Sequence, residues 1–329
     1  VIFTLIIRQS TTLLILTIHG LNLYERITTP LLPSPLQLRN PRRWRDDGIQ
    51  MTSIDHDTAD EYASYLAKRQ GRRATAVRSA FFYRSDKAEP EPPATDLLRN
   101  RSRAGLHLKL ALFYLWCAGS ESPDPDRGDL HTVRGYSDSD IAKFFGFTDP
   151  DTNGKRRIAN ARLQLRDRGL IGVTTRPGRS PVVRLQREDG SGQHYVPPGS
   201  TDGGGKYYKL PVEFWTNLWH VTLSGPAVVA ILVLQHMDQT TNNRDLWVNP
   251  TMRTRHFGFS EETWYRGVNE LCHYQLATRA PKPIRQKFED EARRRRFTYQ
   301  FDINSLRSNK PPKPNDPHRI IREDTDAQI

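Results

Sequence analysis

Apolar residues recur at helical spacing in two long runs of the chain. In GLHLKLALFYLWCAG, Leu106, Leu110, Phe113 and Cys117 fall three or four residues apart, and the stretch is apolar enough to be the buried first helix of a domain. SGPAVVAILVLQHM is nearly all apolar from Pro226 to Met237 and reads the same way, with Ser224 as its N-cap. After the first run comes a Pro- and Asp-rich loop over residues 120–135. DSDIAKFFGF then forms a second helix, capped by Ser137 or Ser139, that turns Ile141, Phe144 and Phe145 inward and stops at Gly146. A third helix follows Asn153-Gly154. Its apolar stripe is Ile158, Ala161, Leu165 and Leu170, Gly169 ends it, and Lys155, Arg156, Arg162, Arg166 and Arg168 are expected largely on the opposite face. IGVTT and PVVRLQ complete the series as two strands around the turn Arg176-Pro177-Gly178-Arg179.

The succession helix, helix, helix, hairpin is the order of a winged helix, and it occurs twice. HFGFSEETWYRGVNELCHYQLATRA, residues 256–280, repeats the frame of the first copy if DPDTNG is an insertion there. Phe257-Gly258-Phe259 then matches Phe145-Gly146-Phe147, Leu271 matches Leu165, and Leu276 matches Leu170. PKPIRQKFEDEARRRRFTYQFDI supplies a longer second wing, with Arg293 to Arg296 entering its return strand. The aromatic-rich KYYKLPVEFWTNLWHVTL before the second copy reads as packing between domains. The predicted fold is therefore mainly α with small β-hairpins, an α+β class, in two tandem winged-helix domains over residues 105–190 and 207–304. A helical arm and an acidic, Pro-rich linker occupy 51–104, a Gly/Pro linker 191–206, and a disordered tail 305–329. Gly203, Gly204, Gly205 and Lys206 lack the spacing, the Ser/Thr and the preceding strand of a phosphate-binding loop.

Residues 1–50 differ in character from the rest. VIFTLIIRQSTTLLILTI is apolar, but Arg8, Gln9 and Ser10 interrupt it before it reaches the length of a membrane-spanning helix, and it has no basic leader or small-residue cleavage site. The Pro-, Arg- and Leu-rich run after it has no periodicity. Residues 1–50 are expected to be a non-native or disordered extension, with the functional chain starting near Met51.

Charge narrows the partners. The chain of 329 residues has 49 Lys plus Arg against 37 Asp plus Glu, a formal net charge of +12, which favours polyanions. The excess is concentrated: between Lys155 and Arg187, Asp167 is the only acid among ten basic residues. In a winged helix the third helix enters the major groove and the hairpin tip meets phosphates or the minor groove. The candidate DNA contacts are accordingly Lys155, Arg156, Arg157, Arg162 and Arg166 on the first third helix and Arg176 and Arg179 on its wing. Arg253, Arg255, Arg266, Arg294 and Arg295 are their weaker counterparts in the second copy, which could instead serve as a homodimer contact. The ten histidines are scattered and no HExxH, CxxC or GxSxG occurs, so the chain reads as a non-enzyme with no cofactor and no metal. Cys117 and Cys272 each sit in an apolar helical pattern, as buried thiols of a reducing compartment. The expected partner is double-stranded DNA, with no membrane, in a cytoplasmic, nucleoid-associated setting.

The phrases KRRIANARLQLRDRGLI, REDGSGQHYVPPG, YYKLPVEFWTNLWHVTLSGPAVVAILVL and HFGFSEETWYRGVNEL resemble a group of actinobacterial proteins with paired winged helices. The resemblance spans about residues 106–301 and implies a tandem helix-turn-helix fold. More distantly, two winged helices in one chain are similar in architecture to plasmid replication initiators. The two functions in view are a sequence-specific regulator or initiator acting on DNA, and a scaffold that uses winged helices to bind protein.

Overall fold

The computed structural model describes residues 5–9, 12–16, 54–99, 105–118, 131–200, 204–241, 244–283 and 295–312. Residues 1–50 and 51–329 form two separate compact units. In the first, β1 (Leu5–Gln9) pairs antiparallel with β2 (Thr12–Leu16) as a short hairpin. The rest of the expected extension lies outside the described residues.

The second unit opens with α1 (His56–Gln70). The Asp55 carboxylate accepts from the Thr58 amide at its start, and Gly71, at φ +61°, closes it in the left-handed conformation that suits a residue without Cβ. β3 (Ala74–Arg78) and α2 (Pro93–Arg99) precede α3 (Leu106–Ala118), in which every residue but His107 is buried. Then follow β4 (Thr132–Val133), α4 (Asp138–Phe144), α5 (Lys155–Asp167), β5 (Ile171–Thr174) and β6 (Val182–Leu185). These three strands form one antiparallel sheet in the order β4-β6-β5, with Thr132 opposite Arg184 and Ile171 opposite Leu185. Ser137 and Asp140 form a reciprocal capping box at the start of α4, so Ser137 rather than Ser139 is the cap.

β7 (Tyr207–Pro211) and the short helices α6 (Glu213–Thr216) and α7 (Trp219–Thr222) lead into α8 (Gly225–Thr240), buried on nearly all sides and capped by Ser224. α9 (Pro250–Met252), α10 (Glu261–His273), β8 (Ala277–Pro283), β9 (Arg295–Phe301) and α11 (Ser305–Ser308) complete the chain. β8 pairs with β9, and Leu246 and Tyr299 exchange two backbone hydrogen bonds of 2.8 Å, placing an isolated bridge where the first sheet has β4.

The two stretches that match in sequence share local backbone features. The Leu170 amide donates to the Leu165 carbonyl at 3.1 Å, and the Leu276 amide to the Leu271 carbonyl at 2.8 Å. Gly146 and Gly258, at φ +67° and +72°, both turn the chain after a buried phenylalanine, Phe145 or Phe257. The fold is thus α+β with small sheets, as the pattern predicts.

Three expectations are corrected. Of the expected arm and linker over 51–104, the described residues 54–99 are packed into the unit: β3 pairs with β7 across more than a hundred residues, and Ala94 and Leu97 of α2 are fully buried. Of the expected linker 191–206, the described residues 191–200 and 204–206 are strapped down, because the Arg78 guanidinium donates to the Val196 and Gly204 carbonyls and, at 2.6 Å, to the buried Glu188 carboxylate, while Tyr195 is buried beside it. The stretch after 304 begins with a packed turn: Leu306 is fully buried, and the Trp219 indole donates to its carbonyl at 3.0 Å. In each case a few apolar or hydrogen-bonding residues, too sparse to make a periodic signal, find partners distant in sequence.

One continuous core runs through both repeats. α3 and α8 meet where Gly105 faces Gly225. A Cβ on Gly225 would sit 2.9 Å from the Gly105 Cα and 2.6 Å from Leu98 Cδ2, so only glycine allows this approach. Trp116 of α3 stacks on Trp215 of α6 at 5.3 Å, Phe144 of α4 on His220 of α7 at 4.3 Å, and Trp219 of α7 meets Tyr274 after α10 at 5.8 Å, so the aromatic stretch touches both repeats. Each such aromatic pair adds about 0.5–1.5 kcal/mol beyond the area it buries. Cys117 is buried, Cys272 is half-buried, and neither forms a disulfide. Among the described residues no helix is long and apolar enough to cross a membrane.

Candidate nucleic-acid interface

α5 owes its position to its apolar stripe: Ile158, Ala161 and Leu165 are fully buried against α3 and α4. The inserted DPDTNG adds a wide turn, Pro150–Gly154, ahead of the helix. The Asp149 carboxylate accepts from the Thr152 hydroxyl and from the Thr152 and Asn153 amides, and the Thr152 hydroxyl above all holds its pKa below the usual carboxylate value. Asp151 accepts from the Ser139 hydroxyl. Both acids at this end of α5 are therefore engaged within the turn.

From this platform Lys155 and Arg156 project into solvent. Lys155 makes no ion pair with a described residue, and Arg156 donates to the Asn153 side-chain oxygen at 3.2 Å. Arg157 is half-buried, its guanidinium 4.5 Å above the Phe147 ring, which fixes it at the helix start. Arg166 is exposed and holds Asp167 at 2.9 Å, a surface pair of small energetic weight. At the wing tip, Arg176 and Arg179 are exposed, joined by a 3.1 Å backbone hydrogen bond across a turn in which Gly178 has φ +69°.

Arg162 is not part of this surface. It is 7% exposed and bonds Asp138 at the head of α4 with both terminal nitrogens, beside the buried Tyr114 phenol, whose burial raises its pKa well above the usual range. Lying between the buried Ala161 and Leu165, it points inward, and the repeat places the fully buried Val268 at the same position. The outward face instead carries Asn160, one turn beyond Arg156, and Leu163, 41% exposed. Neither was a candidate from sequence, although their offsets of four and seven from Arg156 are a legible signal.

The second repeat brings its candidates together less well. Arg253 is 6% exposed and pairs with Glu261 at 3.3 Å, so it belongs to the packed turn before α10 and not to a contact surface. Arg255 is exposed 3.9 Å from Asp86, and Arg266 is exposed midway along α10. Arg294 and the side chain of Arg295 lie outside the described residues. The first turn of α10 carries Glu261 and Glu262 where α5 has Lys155, Arg156 and Arg157. Among the described residues no three His, Cys, Asp or Glu side chains gather as metal ligands.

Comparison with protein-family models, curated proteins and solved structures returns no match.

Proposed function

We propose that this chain is a sequence-specific double-stranded DNA-binding protein, a transcriptional regulator, in which two winged helices share one core and the first carries the DNA contact. The observation that supports this reading is the basic set of one repeat: exposed Lys155 and Arg156 with half-buried Arg157 at the start of α5, and exposed Arg176 and Arg179 on the wing that follows it. Backbone amides and lysine or arginine at a helix start attract phosphate, and a helix of this kind presents its first turns to base edges. Arg156 and Asn160, one turn apart, are the base readers in this proposal, since arginine matches guanine and asparagine adenine with two hydrogen bonds each. Arg176 and Arg179 hold phosphates.

The carboxylates that open α10 repel a phosphate backbone, which supports a division of labour in which the second repeat braces the first or pairs with a second copy of the chain. A nucleoid-associated location is part of the same proposal, as is the likeness to paired winged-helix proteins.

The test starts with selection of genomic fragments bound by the purified protein, followed by titrations at several salt concentrations on selected and scrambled duplexes. Arg179→Ala is expected to weaken every duplex alike and to lower the salt slope by about one. Arg156→Ala is expected to cost about 1–3 kcal/mol of discrimination at one base position. Unchanged affinity in both variants would move the contact to the second repeat or leave the scaffold reading standing. Selected sites ahead of promoters indicate a regulator, and an array at one locus a replication initiator.

A further inference from the structure

α1 and α4 lie against each other, yet a cavity of about 370 Å³ opens where they meet. Its lining includes the buried apolar side chains of Leu66, Phe113 and Ile141. Its walls are three phenol rings: Tyr62 and Tyr65 of α1, and Tyr136 from the turn before α4. The volume falls within the range of small-molecule sites, about 300–1,000 Å³. Tyr136 is braced for such a role, since the buried Gln70 amide donates to its hydroxyl at 2.6 Å. Tyr65 is 56% exposed, a large ring left at the surface beside the cavity.

The charges at the rim select among flat ligands. Two of the three rings already carry a cation: the Arg69 guanidinium lies 4.9 Å from the Tyr136 centroid, and the Lys143 ammonium 5.6 Å from that of Tyr62. The aromatic faces here attract positive charge. Asp140 also lines the cavity, but its carboxylate is committed to the Ser137 amide and hydroxyl. Glu61 has no hydrogen bond or ion pair with a described residue, and it stands one helical turn before Tyr65 on the same stripe of α1. Around the cavity two carboxylates, Glu61 and Asp140, stand against two cations, Arg69 and Lys143, each already seated on a ring, and the uncommitted carboxylate adjoins the exposed Tyr65.

We infer that this cavity binds a flat aromatic cation, its ring against Tyr65 and Tyr136 and its charge at Glu61. Occupancy would reach the first repeat directly, because Ile141 belongs to α4 and Phe113 to α3, and both helices pack on α5.

The test is a fluorescence titration of the full chain, without DNA, using the tricyclic cation proflavine and, as a counterpart of similar ring size and opposite charge, 9-anthracenecarboxylate. Because no DNA is present, the outcome does not depend on the proposed DNA contact. One proflavine per chain is expected, bound at least tenfold more tightly than the anion, with slower amide exchange in α1 and α4 in the complex. Glu61→Gln and Tyr65→Ala, both at exposed positions, should each weaken proflavine about tenfold while melting like the parent. Equal affinity for the two dyes, tighter binding of the anion, or variants that bind proflavine as the parent does would overturn the assignment.

Discussion

Arg162 of α5 and Asp138 at the head of α4 meet in a two-point contact, with Nη2 donating to Oδ2 at 3.0 Å and Nη1 to Oδ1, and both side chains are less than a tenth exposed. This pair ties the second helix of the first repeat to the third. Removing one member leaves an uncompensated buried charge, typically costing about 3–5 kcal/mol, whereas replacing both by apolar residues is often near neutral. Arg162→Ala and Asp138→Ala are therefore expected to lower the urea midpoint strongly, and the double variant Asp138→Ala with Arg162→Met to recover most of the loss. An Arg162→Ala protein that melts like the parent but loses DNA affinity would return Arg162 to the surface.

Phe145 and Phe257 occupy matching core positions in the two repeats, and truncation of a buried phenylalanine to alanine costs about 3–5 kcal/mol. Because the core is continuous through Trp116, Trp215 and the Gly105–Gly225 crossing, each substitution should lower the same single cooperative transition. Two separate calorimetric transitions, each moved by only one of the variants, would mean that the repeats unfold independently.

Lys109 is buried in α3, and burial lowers its pKa to about 8, with Glu270 of α10 acting in the opposite sense. An unfolded lysine titrates near 10.4, so between those values the unfolded chain binds the extra proton and stability rises with pH. At neutral pH the buried ammonium costs about 3 kcal/mol on this basis. Lys109→Met is expected to raise the melting temperature at pH 7 and to flatten the rise between about pH 8 and 9.5, where the parent gains stability. A destabilised Lys109→Met would show instead that attraction to Glu270 outweighs the burial.

His220 and His236 are held neutral by burial, with pKa values lowered to about 3 and about 4. The ring of His220 meets the Phe144 carbonyl through Nε2 at 2.9 Å, and Nδ1 of His236 meets the Tyr208 hydroxyl at 2.8 Å. A histidine with a depressed folded pKa takes up its proton only on unfolding, so its stabilising effect is complete above about pH 6.5 and is lost as pH falls toward the folded value. Each should contribute a slope of about 1.4 kcal/mol per pH unit in that window. Urea titrations of the parent and of His236→Gln between pH 4.5 and 6.5 should differ by about one proton taken up on unfolding; an identical slope would mean that His236 protonates in the folded state.

The order of elements and the internal repeat were written in local pattern. Helical spacing in α3, α5 and α8, the caps at Ser137 and Ser224, and the glycines at 146, 169 and 258 act within a few residues, and the structure realises them where the sequence places them. The exposed lysine and arginines at the start of α5 and on its wing were equally legible, because a polar face opposite an apolar stripe remains polar after packing. Position along the chain could not reveal which charges tertiary contacts remove. Arg162 and Arg253 resemble their exposed neighbours in sequence, and only the arrival of Asp138 and Glu261 makes their burial affordable. The pairing of β3 with β7, the Gly105–Gly225 crossing and the cavity beside Tyr65 likewise join segments distant in the chain. Such contacts depend on complementary shape and on hydrogen-bonding groups that must be satisfied once buried, and no periodicity in a single segment encodes either.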